Sequence, residues 1–250
     1  MFGACRVVDG DVPRLTTSGA SEIRLLFFPQ SEVEIIDTWH VAGLRGTGCH
    51  DHTVDDLFVP AHRTCRFSDE PLQPGPLYSL PPIMLCIAPM AAVAIGIARH
   101  ALDALKELAG AKTPVRSQSV LREHPLAQFQ IGQAEGLLRS GRAFLYESLA
   151  ASWDAAQRGQ RLTWEQRGLV WLATTQAVDQ AVQVIDLVFR AGGGSSVYAS
   201  LPIERCLRDL HTLAQHHSVA PHNYEIAGQL FLGFDIAGSH WGRDYRGDAP

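Results

Sequence analysis

The sequence predicts an α+β chain that is mainly α. A partial β-domain spans residues 1–66, a linker 67–81, a helical bundle domain 82–238 and a tail 239–250. Three observations carry this. Short apolar runs separated by turn residues occupy the beginning. Long stretches with apolar residues at helical spacing follow. Between them, Pro71, Pro74, Pro76 and Pro81 with Gly75 exclude regular structure.

The β-part rests on the runs Ile23–Phe28, Val33–Ile36 and Val54–Val59, separated by turn-rich pieces such as Asp9-Gly10-Asp11 and Thr17-Ser18-Gly19. That is little β-material for a closed domain, and unpaired strand edges are a liability. Further β-structure is therefore expected from a preceding segment or another polypeptide.

The helical part begins with Leu85–Leu108, rich in Ala, Leu and Ile. Leu126–Arg158 places Phe129, Leu137, Leu138, Phe144, Leu145, Leu149 and Trp153 at helical intervals. Thr163–Arg190 opens with a capping box, Thr163 and Gln166. Residues 202–216 and 223–235 read as shorter helices, with Ser200 as N-cap and Pro202 in the first turn. Such amphipathic segments assemble most simply into an antiparallel four-helix bundle. The tryptophans Trp39, Trp153, Trp164, Trp171 and Trp241 read as packing residues.

Composition bounds the function. The chain has 250 residues, 46% hydrophobic and 19% charged, with a net charge of −5, which argues against nucleic-acid binding through a broad basic face. The 5 cysteines are scattered without a CxxC pair, so neither a disulfide framework nor a structural zinc site is expected, and a reducing cytoplasm is. No signal peptide is visible. The most apolar run, Pro81–Ala98, is interrupted by Pro82, Pro89 and Gly96 and reads as a buried helix rather than a membrane span.

Phe189–Gly233 concentrates the chemistry. Gly192, Gly193 and Gly194 make either a ligand-approaching backbone or a simple turn. Arg205 and Arg208 share one helix face beside Asp209, suited to a phosphate or carboxylate or to a surface ion pair. Then come His211, His216, His217 and His222. Their intervals do not match the i, i+3 or i, i+4 spacing of helical metal ligands, so no metal is expected. Acid–base work by one imidazole suits them better, against the alternative of surface histidines near a helix end.

A second loop runs from Gly43 to Asp51. Glycines flank Thr47, with Arg45 alongside. The loop can approach an anion or a planar ring, or make a tight β-connection. Arg116 with Gln118 lies between two helices, within possible reach of a phosphate on a neighbouring subunit.

In this order the features resemble the flavin-dependent acyl-CoA dehydrogenase superfamily. The resemblance is closer to its type-2 C-terminal branch, which contains the two-component flavin monooxygenases (group D hydroxylases). Three stretches carry it. Trp39 through Gly43-Leu44-Arg45-Gly46-Thr47-Gly48 to Val59-Pro60 is similar to the family's W…GLRGTGS…VP segment. Ala191-Gly192-Gly193-Gly194 is the second. Arg205, Arg208, Asp209 and His211 running into His216 and ending at Leu232-Gly233 is the third.

The resemblance implies an N-terminal helical domain, a middle β-domain and a C-terminal four-helix bundle, assembled as a tetramer. Here the matched part starts within the β-domain, so the expectation is a fragment or a chain completed by another polypeptide. Many acyl-CoA dehydrogenases place a catalytic glutamate in the stretch equivalent to Leu213–His217. This sequence has none there, and Glu225 lies too far along. In the hydroxylase branch a histidine stands in this region, matched best by His216. Its implied role is to deprotonate a substrate phenol or to hydrogen-bond the flavin's oxygen adduct. Cys49 stands where the pattern has serine, which keeps the size and weakens the hydrogen bond.

The resemblance thus implies a flavin-dependent oxidoreductase, a monooxygenase acting on an aromatic or polycyclic small molecule. Reduced flavin (FMN or FAD) comes from a partner reductase. His216 is the catalytic candidate. Arg45, Thr47, Arg116, Gly192, Gly193 and Gly194 are cofactor-binding candidates, and His211 and His217 substrate-binding ones. The alternatives are an acyl-CoA dehydrogenase with its base elsewhere, or a non-catalytic structural subunit paired with a full-length homologue.

Overall fold

The computed structural model describes residues 1–16, 21–236, 238, 239 and 241. The turn expected at Thr17-Ser18-Gly19 and the tail from 242 onward lie outside the described residues.

The β-part comprises β1 (Phe2–Arg6), β2 (Val8–Asp9), β3 (Val12–Pro13), β4 (Ile23–Phe27), β5 (Glu34–Ile36), β6 (Asp51–Thr53) and β7 (Thr64–Cys65). Strand β4 is central to an antiparallel sheet, with β1 on one side (Phe2 opposite Phe27, Arg6 opposite Ile23) and β7 on the other. A hairpin joins β2 to β3 around Gly10, and β5 pairs with β6. The run Val54–Val59 is not a strand. Pairing falls instead on Asp51–Thr53, and Asp56 takes a left-handed φ of 44°, a conformation that Asp tolerates and that ends an extended segment.

The linker contains a single helical turn, α1 (Pro76–Ser79), against the expectation of no regular structure. Proline at its first position needs no N–H partner there, which is why the turn starts where it does. The long helices are α2 (Pro82–Ala111), α3 (Pro125–Gln157) and α4 (Trp164–Gly192), followed by α5 (Pro202–Leu213) and α6 (His222–Phe231).

The capping box forms at α4: Thr163 Oγ1 accepts from the Gln166 N–H at 3.1 Å, and Gln166 Oε1 accepts from the Thr163 N–H at 2.9 Å. At α5 the N-cap is Leu201, not Ser200, and makes no side-chain cap bond; Pro202 alone sets the start. Helix α5 also ends earlier than expected, at Leu213, because His216 turns extended (φ −69°, ψ 131°).

The core is the α2–α4 seam. Ala94, Ala98, Ala101, Leu102 and Leu105 of α2 meet Val178, Ala181, Val184, Ile185 and Val188 of α4, and Ile203, Cys206 and Leu210 of α5 close the third side. Alanines at i, i+3 and i+4 let the helices approach closely, and each buried Leu or Ile contributes about 1.5–3 kcal/mol. Helix α2 is long and apolar enough to cross a membrane by length and composition alone, yet this seam is one of its faces. Between α2 and α3, apolar contacts such as Ala91 with Leu145 and Met84 with Ala155 are joined by an ion network. Glu135 accepts from both terminal guanidinium nitrogens of Arg99 at 2.8 Å and from the ammonium of Lys106 at 2.6 Å.

Candidate functional site

Three clusters meet α5 or the bundle end next to it. The first is the 43–48 loop. Leu44 and Gly48 take left-handed φ angles (52° and 58°) on either side of a 3-10 turn, Arg45–Thr47. The loop lies directly on α5: a Cβ added to Gly43 would sit 2.1 Å from the Arg208 carbonyl oxygen. The Leu44 N–H donates to Asp209 Oδ1 at 2.6 Å, and Arg208 Nη1 donates to the Ala42 carbonyl at 2.6 Å. Trp39 Nε1 and Thr47 Oγ1 both donate to the Leu44 carbonyl.

Arg208 also binds Glu204 through Nε and Nη2. Its donors are committed to docking the loop, so the anion-binding reading of Arg208 gives way to a structural one. Arg45, on the exposed side of the same turn, has no hydrogen bond or ion pair among the described residues.

The second cluster is the end of α4. Gly193 has φ 55° and ψ −143°, which glycine alone adopts readily. Gly192 is packed so tightly that an added Cβ would lie 2.1 Å from Ser196 Oγ, whereas space around Gly194 is open. Ser196 is fully buried, and its hydroxyl has no hydrogen-bond partner among the described residues. Lys112 Nζ donates to the Gly192 carbonyl at 2.6 Å, and its own carbonyl accepts from the Leu121 N–H at 2.8 Å. Lys112 therefore ties the glycine turn to the loop that carries Arg116. Arg116 is exposed with a left-handed φ of 65°, strain that a non-glycine residue keeps only when its surroundings hold it.

The third cluster is the histidine turn after α5. The rings of His216 and His217 stand edge to face at 6.1 Å, and those of His217 and His222 lie 5.9 Å apart. His216 and His217 sit in a turn, so helical i, i+3 or i, i+4 spacing does not govern which of these rings meet. Among the described residues no three His, Cys, Asp or Glu side chains group as a metal site.

The Ser218 N–H donates to His216 Nδ1 at 3.1 Å. Partial desolvation, helped by the charge of His217, pulls the His216 imidazole below its ordinary pKa. His211 stands apart from the three rings, with Nε2 3.0 Å from Asp186 Oδ1 of α4.

Sequence reasoning missed Lys112 and Asn223, and placed Ser196 only within the glycine loop. Asn223 is fully buried and holds Ser218, Thr175 and Trp241 together. Only its place directly after the histidine run hinted at it. Elsewhere, an apolar cleft of about 410 Å³ lies between α2 and α3, lined by Met84, Pro89, Leu145, Tyr146 and Leu149 among others; none of the expected site residues lines it.

A small β-layer docked by one loop onto a helix bundle, with a histidine turn at the end of the docking helix, is the acyl-CoA-dehydrogenase-like architecture. Residues 88–221 match the family described as acyl-CoA dehydrogenase, C-terminal domain, and the chain belongs to that family.

Among relatives, the indole-3-acetate monooxygenase of Pseudomonas putida is 33% identical over 210 residues, 84% of this chain and 54% of the relative. The flavin-dependent monooxygenase, oxygenase subunit HsaA, of Rhodococcus jostii is 27% identical over 218 residues, 83% of this chain and 57% of the relative. The crystal structure of the HsaA monooxygenase from M. tuberculosis superposes with a TM-score of 0.79 at 26% identity, covering 90% of this chain and 60% of that one. The chain spans about half the length of the curated relatives it matches.

Proposed function

We propose that the chain acts in a flavin-dependent monooxygenase, as the oxygenase component that hydroxylates an aromatic or polycyclic small molecule. The observation that carries this reading is the turn at His216. An imidazole that stays neutral at pH 7 stands where an acyl-CoA dehydrogenase would need a carboxylate, and Leu213–His217 holds none. Relatives named indole-3-acetate monooxygenase and flavin-dependent monooxygenase oxygenase subunit support the class. The acyl-CoA dehydrogenase alternative lacks its base here.

The residues present fit a flavin. Gly194 offers bare backbone beside open space, and Gly193 next to it lies against the Lys112 ammonium, so a planar or phosphorylated group can approach there. Arg116 and Arg45 are exposed cations without ion pairs among the described residues, suited to the phosphate of FMN or FAD, and Thr47 offers a hydroxyl beside Arg45. Reduced flavin supplies two electrons to O2, so that one oxygen atom enters the substrate and the other leaves as water.

In this reading His216 either deprotonates the substrate or hydrogen-bonds an oxygen. His217 and His211 contact the substrate, the latter oriented by Asp186. A flavin reductase is the implied partner. A homo-oligomer, such as a tetramer, or pairing with a chain that supplies an N-terminal domain is proposed with it, supported by Leu126 and Phe129 of α3, which are 67% and 66% exposed. A reducing, cytoplasmic setting is supported by the five free thiols.

The test is anaerobic titration of the purified chain with reduced FMN and FAD, then mixing with oxygen and indole-3-acetate or a phenol. Binding followed by hydroxylated product is the expected result. In His216→Ala, hydroxylation should slow while flavin affinity holds; unchanged turnover removes His216 from the mechanism. Binding of neither flavin would turn the assignment to a structural partner subunit.

A further inference from the structure

Asn223 is fully buried in the first turn of α6, and its amide is used on both sides. Trp241 Nε1 lies 3.1 Å from Oδ1. An indole N–H can only donate, so the oxygen of the amide must face Trp241 and the NH2 must face the other way. That NH2 donates to the Ser218 carbonyl at 2.9 Å and to Thr175 Oγ1 at 3.0 Å. Thr175, also fully buried, donates in turn to the Trp171 carbonyl at 3.1 Å within α4. The ring of Trp171 stacks on Trp241, centroids 5.6 Å apart. Asn223 thereby ties the 216–219 turn to α4 and Trp241, beside the apolar anchor of the buried Val219, and a satisfied buried polar network of this kind is rigid.

The turn in turn fixes a histidine. The Ser218 N–H points at His216 Nδ1. A backbone N–H can only donate, so Nδ1 must accept, and a neutral imidazole that accepts at Nδ1 carries its single proton on Nε2.

We propose that Asn223 is a positioning residue that holds the Ser218 N–H on His216 Nδ1 and so sets His216 as an Nε2–H hydrogen-bond donor. This rests on the reading of His216 as the catalytic group, and it decides between that group's two roles. A neutral ring protonated at Nε2 donates a hydrogen bond to an oxygen of the reacting molecules; it does not take a proton there. His216 is then a donor and not the base. The lowered pKa of His216 agrees, because it keeps the ring neutral at pH 7.

The test is the ¹⁵N spectrum of histidine-labelled protein near pH 7, which reads the tautomer of His216 without flavin or turnover. The wild type should show one tautomer, protonated at Nε2. Asn223→Asp keeps the shape and the acceptor toward Trp241 but puts an oxygen where the NH2 met the Ser218 carbonyl. His216 should then shift to a mixture of tautomers. Thr175→Val, which removes an acceptor of that NH2, should give a smaller shift in the same direction, and it decides the matter if Asn223→Asp does not fold.

A wild-type His216 protonated at Nδ1 overturns the inference, as does a folded Asn223→Asp or Thr175→Val with the wild-type tautomer. The two readings fail separately. An Nε2–H tautomer together with unimpaired hydroxylation in His216→Ala would remove only the catalytic assignment. An Nδ1–H tautomer with an inactive His216→Ala would remove only the positioning role.

Discussion

The backbone N–H of Leu44 donates to Oδ1 of Asp209 at 2.6 Å, joining the glycine-rich β-loop to a bundle helix 165 residues further on. Hydrogen bonds to a charged group contribute roughly 1.5–3 kcal/mol. Asp209→Ala should lower stability by about that much in urea denaturation and speed hydrogen exchange at the Leu44 amide, because both depend on the carboxylate. Asp209→Asn, which keeps an acceptor, should recover most of the loss. An unchanged Leu44 exchange rate in Asp209→Ala would dissociate the pair from the docking of the loop.

The same contact makes two nearby glycines unequal. A Cβ at Gly43 would lie 2.1 Å from the Arg208 carbonyl, which belongs to a helix and cannot step aside, whereas nothing lies within 4 Å of one at Gly46. Gly43→Ala should cost about 1–3 kcal/mol or more, by overpacking. Gly46→Ala should melt within a degree or two of the wild type, within roughly 0.5 kcal/mol. Equal melting temperatures would mean that the loop does not sit on α5.

Glu135 gathers Arg99, Lys106 and Arg139 around one carboxylate that is 22% exposed. The hydrogen bond from Arg99, then that from Lys106, holds its pKa well below the ordinary carboxylate range. A depressed carboxylate stabilises the fold above its unfolded pKa of about 4.3, and that stability is lost as pH falls toward the folded value. Glu135→Gln should be less stable than the wild type by on the order of 1–3 kcal/mol at pH 7, given partial solvent screening, with the gap closing below about pH 4. A gap independent of pH would show that packing, not charge, is what Glu135 supplies.

His216 follows the same sign for a different cause and in a higher pH window. Its folded pKa lies below the unfolded one, first through desolvation and then through His217. The unfolded chain therefore binds this proton more readily, and stability falls as pH drops through about 6.5. An NMR titration should place the His216 midpoint below about 6.5. His217→Ala should raise that midpoint, since it removes the second cause. A midpoint that stays put would leave desolvation as the only cause.

Arg45 and Arg116 bear on the proposed cofactor. Each single alanine substitution should weaken reduced-flavin binding about ten- to a hundredfold if its guanidinium meets a phosphate, since such bonds contribute roughly 1.5–3 kcal/mol. Affinity is read by anaerobic titration, with circular dichroism checking the fold. Wild-type affinity in both variants would take these arginines out of the flavin site.

The local features were legible in the sequence because local physics produces them. The apolar period of α2, α3 and α4, the capping box at Thr163 and the turn at Gly193 each depend on residues within one or two helical turns. The strand expected at Val54–Val59 failed for the complementary reason. Its apolar residues suit a strand, but pairing is a non-local choice, and β5 takes Asp51–Thr53 instead. The N-cap at Ser200 failed because proline at the first helical position starts α5 without a side-chain cap.

By itself, then, the sequence determined the helix bundle, the order of its motifs and the residue types gathered around α5. What only the tertiary structure decided is how those residues are used. Arg208, read with Arg205 as suited to a phosphate or carboxylate or to a surface ion pair, proved with Asp209 to be a dock, since their loop partners come from the far end of the chain. His216 looked helical and lies in a turn, its Nδ1 capped by Ser218 and its neighbours held by the buried Asn223. A side chain's hydrogen-bond partner and burial depend on which distant segments the packing brings beside it, and spacing along the chain does not contain that information.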